Sequence, residues 1–166
     1  ALARSLDRHL VFRTSWVYAA TGANFLRTML RLAGERDALQ VVDDQIGAPT
    51  GADLIADVTA HALRSVVAVD ERARAGVHHL VARGETSWHG YARRVIERAR
   101  AAGLPIAVAA EAIRPVPTTA FPTPARRPLN SRLAVDRIER TFGLRMPEWT
   151  EGVDAVVDEI VALRGA

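Results

Sequence analysis

Between His9 and Ala101 the hydrophobic period of this chain alternates between that of a strand and that of a helix, an order few folds accommodate. His9-Leu-Val-Phe-Arg-Thr-Ser-Trp-Val-Tyr18 opens apolar and β-branched and reads as a buried strand ending near Thr14 or Ser15. Thr21-Gly-Ala-Asn24 is a turn with Asn24 as a candidate N-cap, and Phe25, Met29 and Leu32 mark one face of a helix over 25–36. Leu39 to Ile46 reads as a second strand, stopped by Gly47-Ala48-Pro49. Thr50-Gly-Ala-Asp53 resembles a capping box opening a helix with Leu54, Val58 and Ala62 on its face. After a charged loop at 70–76, Val77 to Ala82 is a third strand. Thr86 or Ser87 then caps a helix carrying Trp88, Tyr91, Val95, Ile96 and Ala99, which Gly103 stops. Strands separated by helices of about 10–15 residues need crossover connections, so the expected class is α/β with a largely parallel sheet.

The remainder is less regular. Ile106 to Ile113 reads as a further strand. Residues 115–128 hold five of the eight prolines and are expected to be neither regular helix nor sheet. Asn130 or Ser131 is expected to cap a short helix with Val135, Ile138 and Phe142 on one side. A last helix follows Pro147 and carries Val153, Val156, Val157, Ile160 and Val161.

A chain of 166 residues is expected to form one domain, or a domain and a fragment, and 49% hydrophobic against 25% charged residues excludes disorder as an overall description. No apolar run reaches the roughly 18 residues of a membrane helix, so no membrane span is expected. There is no Cys, which removes disulfides, thiolate catalysis and Cys-ligated zinc. There is also no Lys, since all 22 basic residues are Arg. No phosphate-loop lysine, Schiff base or Tyr-x-x-x-Lys pair can therefore lie in these residues. No G-x-G-x-x-G occurs either, so a self-contained dinucleotide site is not expected. The net charge of +3 is weak support for nucleic-acid binding.

Ligands of open α/β sheets bind beyond the carboxyl ends of the strands. Thr14, Ser15, Trp16 and Tyr18 lie at one such end, and Asp43, Asp44 and Gln45 at another. A tryptophan there either joins the core or stacks on a sugar or base ring. Asp43 and Asp44 either shape a turn or serve as acid–base or metal-binding groups. The stretch from Arg114 to Arg132 contains Arg114, Arg126, Arg127 and Arg132 and no acid. It is either a solvated loop or a stiff, Pro-flanked arm for phosphate or diphosphate. His78 and His79 are adjacent on a strand, point to opposite faces and cannot easily share one metal.

Several stretches together resemble the dTDP-4-dehydrorhamnose reductases, a family of extended short-chain dehydrogenase/reductases. They are Phe12-Arg-Thr-Ser-Trp-Val-Tyr18, Asn24-Phe-Leu-Arg-Thr-Met29, Val42-Asp-Asp-Gln-Ile-Gly-Ala-Pro-Thr50, Pro117-Thr-Thr-Ala-Phe-Pro-Thr-Pro-Ala-Arg-Arg-Pro128 and Asn130-Ser-Arg-Leu133. The resemblance implies reduction of dTDP-4-dehydro-L-rhamnose to dTDP-L-rhamnose with NADPH or NADH, in the cytoplasm. It implies that residues 1–166 are a single substrate-binding portion. The glycine-rich loop and the Tyr-x-x-x-Lys pair would belong to an N-terminal dinucleotide-binding half that these residues do not include. Trp16 matches a tryptophan that packs on the sugar. Asn24, Gln45, Thr50, Arg127 and Asn130 match motif positions near the nucleotide-sugar cleft, and Arg126 joins them on its charge. Thr14 and Ser15 are weaker candidates for cofactor contact. No catalytic residue is expected in this chain. Some members of the family form homodimers, sometimes with Mg²⁺ held by carboxylates, for which Asp53 is the one local candidate. Ala19 stands where the family usually has Gly.

Two other readings stay open. One is a non-catalytic, reductase-like regulatory or binding module. The other is a basic nucleic-acid-binding domain, supported by the Arg-rich loop alone and lacking interleaved aromatics.

Overall fold

The computed structural model describes residues 9–68 and 75–165. Most of the charged loop expected at 70–76 lies outside the described residues, and its last residue, Gly76, already begins a strand. In chain order the elements are β1 (Leu10–Arg13), β2 (Val17–Tyr18), α1 (Phe25–Glu35), β3 (Leu39–Val42), β4 (Ile46–Gly47), β5 (Thr50–Gly51) and α2 (Ala52–Ala68). They continue with β6 (Gly76–His79), β7 (Thr86–Ser87), α3 (Trp88–Ala101), β8 (Ile113–Val116), α4 (Asp136–Phe142) and α5 (Trp149–Gly165). β1 pairs with β6, β2 with β5 and β3 with β8, all parallel, and β4 pairs antiparallel with β7. The α/β class with mainly parallel pairing is what the alternating periods predict. No helix among the described residues is long and apolar enough to cross a membrane.

The larger core is a stack of helices on short strands. α3 sits between α1 and α5 and buries Tyr91, Ala92, Val95, Ile96 and Ala99 against Leu26, Leu30, Val153 and Val157. Each fully buried aliphatic side chain contributes about 1.5–3 kcal/mol. Along the outer seam Arg94 and Arg98 each reach an aspartate of α5 with both guanidinium arms, the Nε contacts to Asp154 and Asp158 both being 2.8 Å. A smaller core joins Val58 and Ala62 of α2 to Leu80, Ile138, Phe142 and Met146. There Glu139, 9% exposed, holds Arg83 at 2.7 Å and the Met146 backbone N–H at 2.8 Å. Two of the capping residues expected at helix starts are in place: Asn24 accepts from the Arg27 N–H and Ser87 from the Gly90 N–H. Gly103 follows α3 at φ +85°, a conformation that costs other residues strain.

Four expectations need correction. The strand over 39–46 is two strands, because Asp43 and Asp44 turn the chain to bond other segments. Thr50 is not a helix cap: it lies in β5, wholly buried, donating to the Ala48 carbonyl at 3.2 Å. Ile106 to Ala109 is not a strand, since its N–H groups at 107 and 108 both turn onto the Ala33 carbonyl. The strand is instead Ile113–Val116, inside the Pro-rich stretch, and it tolerates Pro115 because it pairs on one side only. Finally, Asn130 and Ser131 pair with Ile46, and α4 starts at Asp136 with no side-chain cap.

Two predictions follow from this packing. The Tyr91 hydroxyl is buried without a hydrogen-bond partner, and that burial raises its pKa. Tyr91→Phe is therefore expected to raise stability by up to about 1 kcal/mol in urea unfolding; a loss of that size would mean the hydroxyl is bonded. The Glu139 carboxyl is held below its ordinary range, first by the Arg83 hydrogen bond and further by the Met146 N–H. A depressed folded-state pKa contributes stability that is present at neutral pH and lost as pH falls through the acid range. Glu139→Gln should therefore cost most near neutrality, with the gap to wild type closing in acid-limb melts.

Candidate functional site

Five consecutive residues, Asp43 to Gly47, organise the site. Asp43 accepts from the Ser87 hydroxyl, and Ser87 in turn caps α3. Asp44 accepts the Thr118 backbone N–H at 2.9 and 3.0 Å and its hydroxyl at 2.5 Å, so the carboxyl sits below its usual range. Gln45 donates from Nε2 to the Thr118 hydroxyl at 3.0 Å and accepts the Trp88 indole N–H at 3.1 Å. Ile46 donates to the Leu129 carbonyl at 2.9 Å and accepts from the Ser131 N–H at 2.8 Å. Gly47 is there because of Trp16: a Cβ at 47 would lie 2.8 Å from Trp16 Cε2.

Trp16 has a φ of +50°, and it is the one non-glycine residue with positive φ among the described residues. Such a backbone costs about 1–3 kcal/mol and persists where its surroundings over-determine it. Here the Thr50 N–H donates to the Trp16 carbonyl at 3.2 Å. The indole stacks on Trp88 with ring centroids 3.8 Å apart and planes 17° from parallel. Phe25 meets Trp88 at 4.6 Å and Tyr91 at 5.2 Å, which extends the aromatic cluster into the core.

Beside Trp88 lies an apolar cavity of about 260 Å³, lined among others by Phe25, Val42, Gln45, Phe121 and Arg127. The structure thus brings Gln45 and Arg127 together, and Trp16 adjoins them through Trp88. Arg126 and Asn130 are exposed on the same arm and do not line the cavity. Among the described residues no carboxylate pairs with Arg126 or Arg127, whereas Arg132 is held by Glu85. Asn24 spends its amide on the turn before α1, donating to the Ala19 carbonyl at 2.9 Å and accepting from the Arg27 N–H at 3.1 Å. Thr50 is buried beneath Trp16, its hydroxyl also accepting from the Ala82 N–H at 3.4 Å. Thr14 is exposed, and the buried Ser15 hydroxyl lacks a partner. Among the described residues Asp53 belongs to no group of three or more His, Asp or Glu that could hold an ion.

Trp88, Thr118 and Phe121 are absent from the sequence-derived site. Trp88 follows a helix cap and reads as a core position, and no local pattern links it to Trp16, 72 positions away. Thr118 bonds across more than 70 residues, a distance no periodicity reports.

The site thus sets a stacked aromatic pair beside an apolar cavity that Arg127 helps to line. The match to known proteins gives its family. Residues 1–162 match the model of the RmlD substrate binding domain, and the chain belongs to that family. It is 53% identical over 160 residues to the dTDP-4-dehydrorhamnose reductase of Escherichia coli, covering 96% of this chain and 52% of that protein. The reductase of Burkholderia thailandensis is 46% identical, with 98% and 55% covered. The crystal structure of a dTDP-4-dehydrorhamnose reductase from Clostridium acetobutylicum superposes with a TM-score of 0.76 at 32% identity, covering 92% of this chain and 49% of that one. The Bacillus anthracis reductase in complex with NADP gives a TM-score of 0.74 at 31% identity, with 91% and 48% covered. The chain therefore spans about half the length of the curated relatives it matches.

The close approach of Gly47 to Trp16 is testable. Gly47→Ala is expected to cost about 1–3 kcal/mol and to shift tryptophan emission as the indole moves. Unchanged emission and stability would mean that Trp16 has room the structure does not show.

Proposed function

We propose that this chain is the substrate-binding portion of a cytoplasmic dTDP-4-dehydrorhamnose reductase, which reduces dTDP-4-dehydro-L-rhamnose to dTDP-L-rhamnose. The observation that carries this reading is the juxtaposition of the Trp16–Trp88 stack with the cavity rimmed by Arg127. An indole face suits the apolar face of a deoxysugar ring. A guanidinium without a carboxylate partner suits the diphosphate, and Arg126 on the same arm adds a second charge. Pro122, Pro124 and Pro128 stiffen that arm and reduce the ordering cost of binding.

The reductant in this reading is NADPH or NADH, in keeping with the NADP in the Bacillus anthracis structure. The residues present do not fit a dinucleotide by themselves. They contain no glycine-rich loop and no lysine, and the buried Ser15 hydroxyl is a lone unmatched group beside Trp16. Cofactor binding and proton donation are therefore assigned to a dinucleotide-binding half outside these 166 residues, and this chain's part is to grip and orient the nucleotide sugar.

The test is a thermal melt with excess dTDP or dTDP-rhamnose. At 100 times its Kd a ligand adds about 2.7 kcal/mol to the folded state. Stabilisation by either compound but not by inorganic phosphate is expected, and replacing both Arg126 and Arg127 by Ala should weaken it about tenfold or more. No shift, or an equal shift with phosphate, would overturn the assignment.

A further inference from the structure

The four side chains of Trp88, Gln45, Thr118 and Asp44 form a hydrogen-bond chain with a single allowed direction. The indole N–H of Trp88 can only donate, so it fixes which end of the Gln45 amide is the oxygen. The amide nitrogen must then donate to the Thr118 oxygen, and the Thr118 proton must go to Asp44, whose carboxylate can only accept. Both ends of the Gln45 amide are thus engaged within the protein. These two bonds use one amide N–H and one oxygen lone pair of Gln45, and they tie it to Thr118 and Trp88.

The chain also spans two parts of the site. At one end Trp88 is the surface on which Trp16 stacks. At the other, Thr118 is the foot of the arm that carries Arg126 and Arg127. Residues 119–128 of that arm are all exposed, and both of its ends are hydrogen-bonded: Thr118 to Asp44 and Gln45, and Leu129 and Ser131 to Ile46. One amide, that of Gln45, joins the foot of the arm to Trp88.

We propose that Gln45 is a positioning residue: with Thr118 it sets the angle of the Trp88 indole, and through the stack it sets the angle at which Trp16 meets the sugar. The relay stands on geometry alone. Its consequence for the sugar rests on the nucleotide-sugar reading above, and the experiment separates the two.

A closely stacked indole pair gives an exciton couplet in circular dichroism, assigned here by its loss in Trp16→Phe. The variants are Gln45→Met, which removes both bonds at similar size, and Thr118→Val, which removes the hydroxyl isosterically. Thr118→Ser is the conservative rescue, and thermal melts check that each variant folds. Without ligand, Gln45→Met and Thr118→Val should lower the couplet at least twofold, and Thr118→Ser should retain it. In titrations, dTDP-rhamnose should bind Gln45→Met about tenfold more weakly because the indole surface is no longer held in place, while dTDP without the sugar should change less than twofold. An unchanged couplet in both Gln45→Met and Thr118→Val overturns the relay. Equal weakening of dTDP and dTDP-rhamnose overturns its role toward the sugar. A lowered couplet in a protein whose wild type binds neither compound upholds the relay and removes the nucleotide-sugar reading instead.

Discussion

The segment Asp43 to Gly47 is the constraint on which the site depends. Its backbone lies between the end of β3 and the start of β5, too short to form a helix and turned too sharply to continue as one strand. The side chains of Asp43, Asp44 and Gln45 bond outward to the cap of α3, to the foot of the arginine arm and to an indole, and the Ile46 backbone bonds to the arm's far end. Every one of these partners is more than 40 positions away in the chain. Five residues thereby join three segments that lie far apart in the chain.

Energetically the segment's bonds are individually modest, about 0.5–1.5 kcal/mol for a neutral pair and somewhat more where a carboxylate accepts. Their effect comes from being concentrated. The larger core, built on α1, α3 and α5, supplies the stability and leaves Trp88 at its margin, where one side of the ring meets Phe25 and Tyr91 and the stack with Trp16 begins. The positive φ of Trp16 is tolerable because a backbone bond from Thr50, a glycine at 47 and the Trp88 ring all hold it. An apolar surface next to a Pro-stiffened, charged arm is the arrangement on which the proposed binding of a ligand that is part ring and part anion rests.

Much of the fold was legible in the sequence because period and capping are local. The helices at 25–35 and 88–101, with Asn24 and Ser87 as caps, follow from spacing alone. The errors fall where partners are remote. Val108 is apolar but turns its N–H onto Ala33, so a strand-like composition did not make a strand. Pro115 sits in a strand because the edge position spares it an N–H. In the site, Trp16, Gln45 and Arg127 were visible as residue types at strand ends and in a Pro-flanked arm. Trp88 and Thr118 were not, because their importance lies in contacts across the chain. Asn24 and Thr50 matched family positions, and the structure gives both of them internal bonds to keep.

The most direct test of this account is a crystal structure of the chain with dTDP-rhamnose bound. The account predicts the sugar ring against Trp16, the diphosphate at Arg127, and the Trp88 indole N–H still bonded to Gln45. A nucleotide sugar lodged away from the Trp16–Trp88 pair, or a Gln45 amide turned from Trp88 onto the ligand, would contradict it.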